Sequence, residues 1–146
     1  RSPPARALAD LGRSAAGRRP NVTEYSEAVL EHFRNPRGPG RLPAGEPGAV
    51  SGEARHEDGG QRVRLHLCVD ATGRITRARF QAFGCPITIA VASAAVARIE
   101  GASVEAALRL GADEIARELA LRPEQKRLAE LPLAALRCAL AYLRTP

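Results

Sequence analysis

Two periodicities divide the chain. From Glu24 to Arg34 apolar positions recur at helical spacing, with Tyr25, Val29 and Phe33, joined by Ala28 and His32, on one face. Thr23 is a capping residue for this helix, with Ser26 and Glu27 in its first turn. Asn35-Pro36-Arg37-Gly38-Pro39-Gly40 ends it and opens an irregular connection. The period then drops to two. Ala49–Arg55 reads as a short strand, His56-Glu57-Asp58-Gly59-Gly60 as a turn, and Gln61–Asp70 as a cleanly alternating strand. In that strand Val63, Leu65, Leu67 and Val69 point one way. Arg62, Arg64, His66 and Cys68 point the other way, opposite the side chains that pack the core. Asp70-Ala71-Thr72-Gly73 makes a hairpin turn, and Arg74–Phe83 returns with Ile75, Ala78, Phe80 and Ala82 as apolar surface.

After Cys85 every segment reads as helix. Pro86 suits a first turn, and Ile87–Glu100 follows as a run of small and branched apolar residues fit for close packing on a sheet. Gly101 stops it, Ser103 caps Val104–Leu110, Gly111 ends that, and Ala112–Ala120 is a further helix. Pro132 divides the last region into a short helix and a longer one, Leu133–Leu143. The expected class is α+β: a three-stranded antiparallel sheet with helices packed on one face.

Composition changes this picture little. The chain's 146 residues suit one core, and with 3% aromatics that core must be built from Ala, Leu, Val and Ile. No apolar run approaches the roughly 20 residues that span a bilayer. Charge changes it more. The net charge is +6, and residues 1–20 hold five arginines against Asp10, which leaves the body close to neutral. Residues 1–22 therefore read as a basic flexible tail and residues 23–146 as the folded domain. The tail has no aromatics beside its arginines, so nucleic acid is not an expected partner. The Arg/Ala/Ser-rich, acid-poor start fits either an organelle transit remnant or a high-GC bacterial leader.

The three cysteines, Cys68, Cys85 and Cys138, are odd in number and widely spaced. That is neither a secreted disulfide framework nor a self-contained zinc or thioredoxin signature. Cys85 stands out: a strand runs out at Gly84, presents one thiol, and enters a helix of small residues. Such a place suits a nucleophilic or metal-binding sulfur. Cys138 shares helical spacings with Leu131, Ala134 and Ala135 and reads as a small buried hydrophobe. His66 and Cys68 form a two-residue edge on one strand face, short of the three or four converging donors a metal needs. His56, Glu57 and Asp58 lie in a loop that could supply Cys85 with ligands for a hard or borderline metal.

Several strings, in order, resemble the IscU/NifU N-terminal (SufU-like) family of iron–sulfur cluster assembly scaffolds, from about Tyr25 to Leu143. Tyr25-Ser26-Glu27 through Glu31-His32-Phe33-Arg34-Asn35-Pro36-Arg37 is similar to its opening helix and H-[YF]-x-x-P-R signature. Ser51-Gly52, Val69-Asp70, Gly73-Arg74-Ile75, Phe83-Gly84-Cys85, Ile89-Ala90, Ser93, Gly101 and Ser103–Ala107 follow the family's further motifs. The resemblance implies a site of three cysteines, an aspartate in a Cys-Gly-Asp turn, and often a histidine before the third cysteine. Thiolates are soft ligands suited to Zn²⁺ or Fe–S. Carried over by position, the first cysteine falls on Gly59, the aspartate on Gln61, the second cysteine on Cys85, the histidine on Arg127 and the third cysteine on Leu128. His32 falls on a motif position and reads as packing or hydrogen-bonding.

A lone thiolate cannot hold a [2Fe–2S] cluster, and an arginine beside it would repel a cation. The expectation is therefore a non-catalytic, ligand-depleted scaffold with no cofactor. It would be an accessory or structural subunit that binds other proteins, within a large multisubunit, iron–sulfur-containing complex. The alternative is a working scaffold or sulfur/iron carrier. It would use Cys85 with His56, Asp58 or partner-supplied ligands to hold [2Fe–2S], iron or zinc, with a cysteine desulfurase as partner. The expected location is intracellular, in a bacterial cytoplasm or a mitochondrial matrix.

Overall fold

The computed structural model describes residues 25–43, 45–57 and 60–144. The basic tail, the Thr23 cap, and Asp58 and Gly59 lie outside the described residues. Helix α1 spans Glu27–Arg34 and is capped by Ser26. The Ser26 hydroxyl oxygen accepts from the Val29 N–H at 3.0 Å, and its O–H donates to the Leu119 carbonyl. Val29, Leu30, His32 and Phe33 form its buried face.

Strands β1 (Ala49–Arg55), β2 (Arg62–Val69) and β3 (Ile75–Phe83) form an antiparallel sheet in that order. The β2–β3 turn is tied by Asp70, whose Oδ1 accepts from the Thr72 N–H, the Thr72 hydroxyl and the Arg74 N–H at 2.9, 2.6 and 3.0 Å. Register sets the two faces. Gly52, Leu65 and Phe80 lie in one row across the strands on the core side, and Glu53, Arg64 and Gln81 in the next row on the outer side. The connection after α1 is more ordered than its prolines and glycines suggest. The Phe80 N–H donates to the Gly38 carbonyl and the Gly40 N–H to the Phe80 carbonyl, both at 2.8 Å, so this segment lines the free edge of β3.

Helices α2 (Pro86–Ile99) and α5 (Glu130–Arg144) cover the core side of the sheet, α2 on β3 and α5 on β1 and β2. The core is built from Val63, Leu65, Leu67, Ile75, Phe80, Val91, Val96, Ile99, Leu136 and Leu140 with interspersed alanines. The fit between α5 and β1 is close. A Cβ on Gly52 would lie 2.3 Å from both the Ala135 carbonyl oxygen and the Ala139 nitrogen, so only glycine lets the helix reach the strand. Short helices α3 (Val104–Leu108) and α4 (Ala112–Glu118) and a 3₁₀ segment (Pro123–Ala129) connect the two long ones.

Three expectations are corrected. Pro132 does not divide the last helix. It lies in the first turn of α5, where a missing N–H breaks no hydrogen bond. Cys138 is exposed. The buried stripe of α5 runs through Leu131, Ala135 and Ala139 and through Leu136 and Leu140, and Cys138 falls off its edge. His66 and Cys68 do point away from the helices, yet both are buried, at 8% and 4% exposure. Arg77 stands beside Cys68 in register and bonds Glu46 at 2.9 Å, which draws the segment before β1 across that end of the face.

Candidate functional site around Cys85

The strand-to-helix turn is built as the sequence suggests. β3 ends at Phe83, Gly84 adopts φ +138°, and Cys85 follows in extended backbone as the residue before α2, with Pro86 first in the helix. Gly84 is required twice over. Its φ is open to glycine alone, and a Cβ there would lie 2.8 Å from both Gln61 Cγ and Thr88 Oγ1. Gln61, on which the resemblance places the aspartate, is thereby packed against the backbone next to Cys85.

The Cys85 thiol is partly exposed. Its side chain accepts nothing from the first-turn amides, and its carbonyl instead takes the Thr88 N–H at 2.9 Å. Cys85 Sγ lies 3.6 Å from Thr88 Oγ1, and Thr88 is fully buried. Sequence reading missed Thr88. Its signal was position: it stands three residues after the capping cysteine, where a side chain meets the cap. Gln61 Oε1 is buried with no hydrogen-bond partner among the described residues, while its backbone carbonyl accepts the His56 N–H at 2.8 Å and closes the β1–β2 connection.

The other candidate positions supply the thiol with no cluster of donors among the described residues. Leu128 is an alkyl side chain at 6% exposure within the hydrophobic core, and Arg127 beside it is exposed. Among the described residues no three His, Cys, Asp or Glu side chains converge closely enough to hold a metal ion. At the positions that the family resemblance assigns to ligands, Cys85 offers a thiol, Gln61 a neutral amide oxygen and Leu128 an alkyl group, and such a set would not match the soft donors of a cluster or a thiolate zinc site. His56 is half-buried at the base of the same connection.

The remaining histidines are committed elsewhere. His66 Nδ1 lies 2.9 Å from Ser51 Oγ and its Nε2 lies 2.8 Å from Gln81 Oε1, so neither ring nitrogen is free to pair with Cys68 as a ligand edge. His32 Nδ1 and Nε2 face Ser93 Oγ and Glu118 Oε2 at 2.7 and 3.3 Å, in keeping with a packing and hydrogen-bonding role. The thiol of Cys68 is held above its ordinary pKa by burial first, with Glu46 adding to the rise. Burial of that kind makes a structural rather than a reactive cysteine.

No helix among the described residues is long and apolar enough to cross a membrane. Comparison with known proteins places these features in a family. Residues 24–144 match the family described as "NifU-like N terminal domain". The chain is 35% identical to the iron–sulfur cluster assembly enzyme IscU of Drosophila melanogaster, over 82% of this chain and 78% of that protein. It is 34% identical to the iron–sulfur cluster assembly scaffold protein IscU of Azotobacter vinelandii, over 80% of this chain and 91% of that protein. The fold is shared with a putative scaffold for the SUF system from Fervidobacterium islandicum, with a TM-score of 0.66 and 19% identity over 83% of this chain and 99% of that one. It is also shared with the N-terminal NifU-like protein of Brucella abortus, with a TM-score of 0.63 and 20% identity over 84% and 94% of the two chains. A meander of three strands, a glycine-turned cysteine at the head of an apolar helix, and these matches in sequence and structure make the chain a member of the IscU/NifU N-terminal family of iron–sulfur cluster assembly scaffold proteins.

Proposed function

We propose that this chain is a ligand-depleted member of that family. It works by binding other proteins, as a non-catalytic accessory or structural subunit of an assembly that contains iron–sulfur centres. One observation carries the reading. Of the positions that the family resemblance assigns to ligands, Leu128 is an alkyl side chain sealed into the core and Gln61 is an amide, which leaves Cys85 as the lone thiolate donor. Conversion of the third cysteine position into a core leucine also favours a permanent change. A buried leucine stabilises the fold by about 2 kcal/mol through area removed from water alone, and its alkyl side chain offers a metal no donor atom.

A second reading is favoured by the partial exposure of Cys85 and by relatives named as assembly scaffolds. In it the chain carries iron, zinc, sulfur or a [2Fe–2S] cluster as cargo on Cys85, with His56, Asp58 or a partner such as a cysteine desulfurase completing the site. Protein purified without oxygen separates the two. The first reading expects sub-stoichiometric iron and labile sulfide and no visible absorption of a cluster. Stoichiometric iron and sulfide that disappear in Cys85→Ser would overturn it in favour of the second.

A further inference from the structure

We propose that the outward face of the sheet, at the end carrying Arg55, Arg62, Arg64 and Phe83, is a docking surface for an acidic segment of another protein. In that segment carboxylates flank an apolar residue. Among the described residues the helices lie on the other side of the sheet, so strand alternation leaves this face to the flanking side chains. Register aligns Arg55, Arg62 and Phe83 in one row across the three strands, and Glu53, Arg64 and Gln81 in the next.

Charge on this face is unevenly matched. At the far end Arg77 has its own carboxylate in Glu46 at 2.9 Å and Arg79 has Glu100 at 3.1 Å. At the near end, among the described residues, three guanidinium groups share the Glu53 carboxylate, Arg55 at 3.1 Å, Arg62 at 3.9 Å and Arg64 at 3.0 Å. Their side chains are 60%, 38% and 47% exposed, so the surplus positive charge faces solvent. Glu53 is held below the ordinary carboxylate range by these arginines, Arg55 first, so it stays ionised and leaves the imbalance in place.

Phe83 gives the surface its shape. It is 57% exposed, and the Arg62 guanidinium sits 4.5 Å from the centre of its ring. An arginine held against a ring and beside a carboxylate loses less freedom when it engages a second carboxylate, and guanidinium groups favour bidentate carboxylate pairing. An apolar ring with guanidinium groups beside it complements an apolar side chain with carboxylates beside it. Single-stranded nucleic acid fits less well, because one ring with an arginine already over it gives no row of stacking platforms. The surface adjoins the Cys85 turn, two residues beyond Phe83, and it stands under either reading of that thiol.

The full chain would be titrated into a short fluorescein-labelled peptide of aspartate and glutamate around a central leucine, read by fluorescence anisotropy at low salt. Binding is expected, and it should weaken as salt rises. Arg62→Glu combined with Arg64→Glu is expected to weaken it about tenfold or more, and Arg109→Glu, at the end of α3, less than about twofold. Phe83→Ala should weaken binding about threefold without changing its salt dependence. The milder pair Arg62→Gln with Arg64→Gln serves if the charge reversal disturbs the circular dichroism spectrum. The proposal fails if the peptide does not bind at low salt, if Arg109→Glu weakens it as much as the paired change, or if a thymidine oligonucleotide of equal charge binds more tightly than the peptide. The last result would make the face a nucleic-acid surface. Metal content, measured on the same preparation, tests the state of Cys85 separately.

Discussion

His32 Nδ1 lies 2.7 Å from Ser93 Oγ, and both side chains are buried. Ser93 stands midway along the apolar α2, where a hydroxyl would otherwise be a liability. Its oxygen also accepts the Arg37 N–H at 2.8 Å. The far ring nitrogen of His32 meets Glu118, which in turn holds Arg98 Nε at 2.8 Å. One network thus pins α1, the segment after it, α2 and α4 together. Ser93→Ala leaves the buried His32 ring nitrogen and the Arg37 N–H without their shared partner, so it is expected to destabilise the fold by about 1–2 kcal/mol. Urea unfolding followed by circular dichroism would show this as a lower midpoint at unchanged slope.

Gly52 gives a second, purely steric prediction. Adding one methyl group there places a carbon 2.3 Å from backbone atoms of Ala135 and Ala139, and backbone cannot rotate away as a side chain can. Gly52→Ala is expected to cost about 1–3 kcal/mol as α5 is pushed off β1. Thermal unfolding checks it, with Ala54→Gly on the same strand as a comparison that creates space instead of removing it.

How far these features were visible in the sequence depends on their range. The alternation of Val63, Leu65 and Leu67 is a local signal, and β2 and its neighbours follow it to within a residue. The Cys85 turn was equally legible, because Gly84, Pro86 and the small residues behind them are adjacent in the chain. The helix cap was not. Thr23 and Ser26 are both competent caps, and Ser26 is tied in addition to the Leu119 carbonyl, a contact that no local pattern announces. His66 and Cys68 show the same limit. Alternation gave their direction correctly, but their cover comes from Arg77, Glu46, Ser51 and Gln81 on other elements. At the site, the packing of Gln61 against Gly84 depends on β2 and β3 being paired, which the string alone does not state.

Acid stability provides a third prediction. Glu53 is held below the ordinary carboxylate range, chiefly by its hydrogen bond to Arg55, and Asp70 likewise by Thr72. A carboxylate whose folded pKa is depressed adds stability that is fully present above its unfolded value and is lost as pH falls through the folded one. Melting temperature should therefore hold steady down to about pH 5 and fall below about pH 4. Glu53→Gln and Asp70→Asn should each lower it near neutral pH and flatten the acid limb. If both variants keep the wild-type slope below pH 4, these two ties do not set the acid limb.

The three cysteines should separate cleanly by reactivity. Cys138 is exposed on α5, Cys85 is partly exposed at the head of α2, and Cys68 is buried with its thiol pKa raised by that burial. The thiolate is the reacting form, so both accessibility and pKa work against Cys68. In native protein at neutral pH, iodoacetamide followed by peptide mass analysis should label Cys138 first, Cys85 more slowly, and Cys68 only after denaturant is added. Fast labelling of Cys68 in the folded state would mean that the cover formed by Arg77 and Glu46 opens in solution. An unreactive Cys85 would mean that its thiol turns inward onto Thr88, and the carrier reading would then lose the accessible sulfur on which it depends.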